Sequence, residues 1–67
     1  MNAATLKKVA ERKPFRPFSV RLHNGARYTF REPRDFGAPK NYRDIIFFGK
    51  SDFVLIDRES IAEVVTQ

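Results

Sequence analysis

Between Phe18 and Phe30 apolar and polar residues alternate on both sides of Asn24-Gly25, a pattern that reads as a β-hairpin. The length of the turn decides which residues meet. A two-residue turn on Asn24-Gly25 sets Leu22 against Arg27 and leaves every apolar residue opposite a polar one. A three-residue loop, His23-Asn24-Gly25, sets Leu22 against Ala26, Val20 against Tyr28 and Phe18 against Phe30. One face of the hairpin is then wholly apolar. Such a loop is a type I turn followed by a residue in the left-handed region, and Gly25 supplies that residue. The opposite face carries Arg21 directly across from Arg27, with Arg31 further along. Like charges in opposed positions destabilise a strand pair. The register therefore calls for a compensating group outside the hairpin: an acidic side chain, a partner or a phosphate.

Sixty-seven residues make one domain near the lower limit for a self-sufficient core; a chain of this size buries only about 60% of its unfolded surface. There is no cysteine, so neither a disulfide nor a thiolate metal site adds stability. Small scaffolds without such staples often associate with copies of themselves. Seven Phe and two Tyr suit a compact β core. No run approaches the roughly 20 apolar residues of a membrane span, and the N-terminus lacks a signal-peptide apolar core. A cytoplasmic protein is the expectation. Thirteen Lys plus Arg against eight Asp plus Glu give a net charge of +5. That balance fits a polyanionic partner, and it equally fits plain solubilising charge.

Residues 3 to 12 read as a short helix that Asn2 or Thr5 caps and Pro14 ends, with Leu6, Val9 and Ala10 as a narrow apolar stripe. A helix this short is marginal in water and must dock on the sheet. Phe15-Arg16-Pro17-Phe18 is a rigid lead-in to the hairpin, with Phe15 and Phe18 as core anchors. Residues 33 to 43 contain two Pro and one Gly without periodicity and read as a long loop, where function is often found. Asp44 to Gly49 and Asp52 to Asp57 are short strands that are apolar at successive positions, so both of their faces ask for cover. The helix offers too little to cover Phe47, Phe53 and Leu55 together, and these three are the expected oligomer interface. Residues 57 to 60 form a tight turn, and Ile61 to Val65 the last strand.

A helix and five short strands around a bent meander can remove their open edges by curling into a barrel. Here the chain resembles the Sm-like domains. Val20–Tyr28 (VRLHNGARY) is similar to a strand, Asn-Gly turn and strand of the bacterial Sm-like RNA chaperones, and Phe53–Val65 (FVLIDRESIAEVV) to their closing strand, short turn and last strand. The resemblance implies a mainly β fold with one N-terminal helix, a small five-stranded Sm-like barrel of the Src-homology type. It also implies ring closure by edge-to-edge strand pairing between copies. In those chaperones the turn before the last strand gives a Lys-His pair to the RNA pocket. Asp57-Arg58-Glu59 stands there in this chain, and the two acids argue against the same uridine pocket. The chain further resembles a group of short uncharacterised bacterial proteins of planctomycete type, through Pro14-Phe15-Arg16-Pro17-Phe18 and Pro33-Arg34-Asp35-Phe36. That group usually turns on Asp-Gly where this chain has Asn24-Gly25, and often has His where Glu32 stands. This likeness brings no catalytic residues with it.

Chemistry-bearing clusters are sparse. His23 lies in a turn, Ser19, Ser51 and Ser60 have no activating neighbours in sequence, and the aspartates sit at strand ends. No His/Cys cluster points to a metal and no Gly-rich loop to a phosphate cofactor. The expectation is a protein that is not an enzyme and carries no cofactor. The basic set is more informative. Arg21, Arg27 and Arg31 share the solvent face of the hairpin, and Lys40 and Arg43 flank Tyr42 in the long loop. Arginines grip phosphates while a tyrosine ring stacks a base. These six residues are the expected nucleic-acid-binding set, with single-stranded RNA as the partner. The competing reading pairs Arg21 and Arg31 with Glu32, Asp35 or Glu63 as a solvated salt-bridge face. The chain is then an interaction or structural module that self-associates without touching nucleic acid.

Overall fold

The computed structural model describes residues 1–66. Asn2 caps helix α1 (Ala3–Ala10), its side-chain oxygen accepting from the Ala4 N–H at 2.7 Å. The helix stops two residues short of the expected end. Proline at 14 disfavours helical backbone at Lys13, and the chain turns away through Glu11. Leu6 is fully buried, and Val9 and Ala10 pack beside it.

Strands β1 (Phe18–Leu22) and β2 (Arg27–Phe30) pair in the three-residue-loop register, with Phe18 opposite Phe30, Val20 opposite Tyr28 and Arg21 opposite Arg27. Gly25 has φ +92°, a region that L side chains avoid. Its N–H donates to the Leu22 carbonyl at 3.0 Å, and the Leu22 N–H donates to the Ala26 carbonyl at 2.8 Å. After β2, the 3-10 turn Pro33–Asp35 breaks the strand. The chain resumes as β3 (Phe36–Gly37), β4 (Asp44–Phe48) and β5 (Phe53–Asp57), then a second 3-10 turn (Arg58–Ser60) and β6 (Ile61–Thr66). Asp57 caps that turn by accepting from the Glu59 N–H at 2.9 Å.

The fold is mainly β with one N-terminal helix. It differs from the expected five-stranded barrel in detail: six strands form two three-stranded antiparallel sheets, ordered β2-β1-β6 and β3-β4-β5, with no ladder joining them into a closed barrel. The added strand, β3, lies within the stretch 33–43 that reads as a loop. Two residues are too few to carry a period. Pro33 has no N–H, and the Asp35 carboxylate takes the backbone N–H groups of Arg31 and Glu32, at 3.1 Å each. Together they fold the chain over between β2 and β3.

Between the sheets the Phe18 and Phe30 rings stack at 4.9 Å, with Phe36 edge-on to both at 5.8 and 5.3 Å. Val20, Ile45 and Ile61 are fully buried around them. Phe15 packs partly buried against Phe18 at 6.1 Å, so both lead-in rings serve the core.

The second sheet sorts its continuous apolar runs by register. Ile45 pairs with Ile56 and Phe47 with Val54 on the inner face; Ile46 pairs with Leu55 and Phe48 with Phe53 on the outer. Phe53 and Leu55 are 66% and 64% exposed. Phe47, expected beside them, turns inward onto Tyr28 (5.4 Å) and Phe30 (5.6 Å), and Phe48 takes the outer position. Neighbouring strand residues point to opposite faces. A run apolar at every position does not reveal which parity faces out.

Candidate nucleic-acid interface

The opposed Arg21 and Arg27 meet their compensation on the third strand. Glu63 lies opposite Arg21 on β6, and Arg21 Nε donates to its Oε1 at 2.6 Å. That hydrogen bond, then the Arg21 charge, holds the Glu63 carboxyl below the usual carboxylate range, and the charge of Arg27 adds to the effect. Arg21 is thus neutralised in place. Arg27 has no ion pair among the described residues. One step along the same face, the Ser19 and Thr29 hydroxyls are hydrogen-bonded at 2.8 Å, which satisfies the buried serine.

Arg31 continues the row, and every acid within its sequence neighbourhood is already engaged. Glu32 Oε2 accepts from Arg34 Nε at 3.2 Å and from Arg34 Nη2 at 3.0 Å. Asp35 is turned onto backbone N–H groups. Glu63 belongs to Arg21. Arg31 is left with no acidic partner among the described residues. It lines a groove of about 520 Å³ between the end of β2, the Pro33–Asp35 turn and the β4–β5 turn, where Lys50 also stands without an ion pair among the described residues. Phe47 and Phe48 give the groove an aromatic wall.

The long loop behaves differently. Lys40 and Arg43 are exposed, but neither lines that groove. Arg43 instead borders a hollow of about 250 Å³ that also holds Asp57 and Glu59, a mixed-charge rim. The Tyr42 ring is not presented for base stacking. It is 7% exposed, stacks on Phe36 at 6.1 Å, and its hydroxyl donates to Glu11 Oε2 at 2.8 Å. Burial, then the hydrogen bond and charge of Glu11, push its phenol up to about 12. Tyr42 thus ties the loop to the end of α1, with φ +53°. Arg58 is likewise structural: its Nη1 donates to the Asn41 and Tyr42 carbonyls at 3.3 Å each.

The six expected residues therefore separate into a row (Arg21, Arg27, Arg31), two exposed loop cations (Lys40, Arg43) and a core tyrosine (Tyr42). Lys50 and Phe48 join Arg31 at the groove, and sequence reasoning passed over both. The available signal was the Gly49-Lys50-Ser51 turn, a lone cation directly after the apolar strand Asp44–Phe48. Among the described residues no group of three His, Cys, Asp or Glu side chains is placed to hold a metal ion, and no helix is long and apolar enough to cross a membrane. Compared with known protein families, with curated proteins and with solved structures, the chain matches none.

Proposed function

We propose that this chain is a non-enzymatic Sm-like small barrel that binds single-stranded RNA weakly and associates with copies of itself. The observation that carries the RNA reading is the charge accounting along β2. Of the three arginines in the row, Arg21 is cancelled by Glu63, while Arg27 and Arg31 keep uncompensated charge at the surface of a chain of net charge +5. Uncompensated cations in a row beside an aromatic wall suit a flexible polyanion with exposed bases. The Sm-like assignment is supported by the strand order, in which the first strand lies between the second and the last. It is supported too by β2 and β3, which act as one bent strand interrupted at Pro33, and by the 3-10 turn that leads into the last strand.

Titrating a labelled single-stranded oligoribonucleotide across a salt series tests the RNA reading. Two phosphates, one on Arg27 and one shared by Arg31 and Lys50, give a log–log salt slope of about −1.4 at roughly 0.7 per phosphate. No binding at low salt removes the reading. A second reading, an interaction module without nucleic acid, is favoured by one observation: the large exposed apolar side chains Phe48, Phe53 and Leu55 all lie on the outer face of the second sheet. Strand β5 has a sheet neighbour on one side only and no Lys, Arg or Pro to guard its open edge. Both readings share self-association through the open edge of β5.

A further inference from the structure

We infer that the groove between the two sheets is a subsite for one unstacked nucleotide of a single strand, its phosphate on Arg31 and Lys50 and its base against Phe48. The inference rests on the RNA-binding reading and gives that reading a place and a ligand unit.

Three independent features meet there. The first is charge. Arg31, Arg34 and Lys50 stand on the rim against Glu32 and Asp35; Glu32 pairs with Arg34, while the Asp35 carboxylate is turned onto backbone N–H groups and keeps its charge, so the rim carries a net charge of +1. The two cations left over lie on opposite sides of the groove, Arg31 past the end of β2 and Lys50 in the β4–β5 turn. A phosphate between them receives charge-assisted hydrogen bonds from both sides.

The second is the ring. Phe48 is 44% exposed, and it lies over Gly37, where an added Cβ would come within 2.9 Å of its Cε2. The bare glycine backbone backs one part of the ring and leaves the remainder open. Phe47, turned to the inner face and engaged by Tyr28 and Phe30, also lines the groove.

The third is the strand edge. β2 has β1 as its only sheet neighbour. Because the Leu22 N–H donates to Ala26, alternation along the ladder turns the backbone groups of Arg27 and Thr29 to the open side of β2. Thr29 lines the groove and brings one N–H and one C=O to its wall. These can meet the edge of a base without choosing among bases. A volume of about 520 Å³ suits one nucleotide. A base paired within a duplex has no free face to lay on Phe48.

Amide NMR on the full chain tests the assignment, with a single-stranded oligoribonucleotide, the same sequence as a duplex, AMP, adenosine and inorganic phosphate as probes. The expected result is that the amides of Thr29, Arg31, Phe48, Gly49 and Lys50 shift together on adding the single strand. AMP moves the same set at higher concentration, while adenosine alone and phosphate alone move it far less. Phe48→Ala should weaken single-strand binding by about tenfold, the order of one lost base–aromatic stack. Phe48→Leu, which keeps apolar volume but loses the flat ring, should weaken it comparably and guards against a folding defect in the alanine variant. Single-strand binding with shifts confined to the Lys40–Arg43 loop or to α1 overturns the groove assignment and leaves the RNA reading standing. Equal binding of the duplex also overturns the groove assignment. No binding of any RNA at low salt removes both.

Discussion

The two sheets use similar numbers of apolar residues and finish their outer faces in opposite ways. On β2-β1-β6 the outer face is closed chemically: Arg21 meets Glu63 at 2.6 Å and Ser19 meets Thr29 at 2.8 Å. On β3-β4-β5 the outer face carries Phe48, Phe53 and Leu55 to solvent, with no polar network over them. Alternating strands leave one polar face, which neighbouring strands can satisfy. Strands apolar at every position leave an outer face that only another molecule can satisfy. Stability therefore resides between the sheets, and interaction is assigned to the second sheet, the gap between the two and Arg27, the arginine of the first sheet's outer face without an ion pair among the described residues.

That contrast breaks most visibly if large apolar residues of the two sheets are made small. Phe18→Ala, in the stacked ring core of the first sheet, should cost about 3–5 kcal/mol in denaturant melts. Phe53→Ser, on the outer face of the second, should leave stability within about 0.5 kcal/mol and lower the mass seen by sedimentation at micromolar concentration. A costly Phe53→Ser, or a cheap Phe18→Ala, contradicts the division of roles.

Tyr42 sharpens the comparison, because it ties the loop leading into the second sheet to α1. Tyr42→Phe should cost about 1–2 kcal/mol through the lost hydrogen bond to a carboxylate. The phenol, raised to about 12 in the folded chain, favours folding while it stays protonated. Its contribution is full below the unfolded value of about 10 and is lost as the pH rises towards 12. Denaturation midpoints of the wild type and of Tyr42→Phe should converge over that interval. Parallel curves would contradict the tie. The smallest of the expected losses of stability concerns the hairpin itself, Phe53→Ser being expected to leave stability nearly unchanged. Gly25→Ala should destabilise by about 1 kcal/mol, since a Cβ at φ +92° is strained even though nothing lies within 4 Å of it.

Legibility followed the same division. The first hairpin could be read to the level of register because Leu22, Val20 and Phe18 alternate and only one loop length places them opposite apolar partners. The need for a compensating group was also legible, but not its kind: an acid, a partner and a phosphate all fitted, and Glu63 was one of three acids named. The second sheet was legible only as two strands. Phe47 and Phe48 differ in facing through pairing with Val54 and Phe53, a register that neither run encodes locally. Strand β3 and the buried ring of Tyr42 were hidden for another reason. Both are set by tertiary contacts, with β4 for the one and with Phe36 and Glu11 for the other. The groove joins two segments distant in sequence, Thr29–Asp35 and Phe47–Lys50, so only Arg31 of its cations stood out.

The most direct measurement compares two arginines of the β1–β2 row by the salt dependence of single-stranded RNA binding. One variant removes the ion pair, Arg21→Gln with Glu63→Gln, and leaves the net charge unchanged; the other is Arg31→Gln. The expected result is an unaltered log–log slope for the paired variant and a slope shallower by up to about 0.7 for Arg31→Gln, whose phosphate then keeps only Lys50. A shallower slope for the paired variant with no change for Arg31→Gln would contradict the charge accounting on which the proposed function stands.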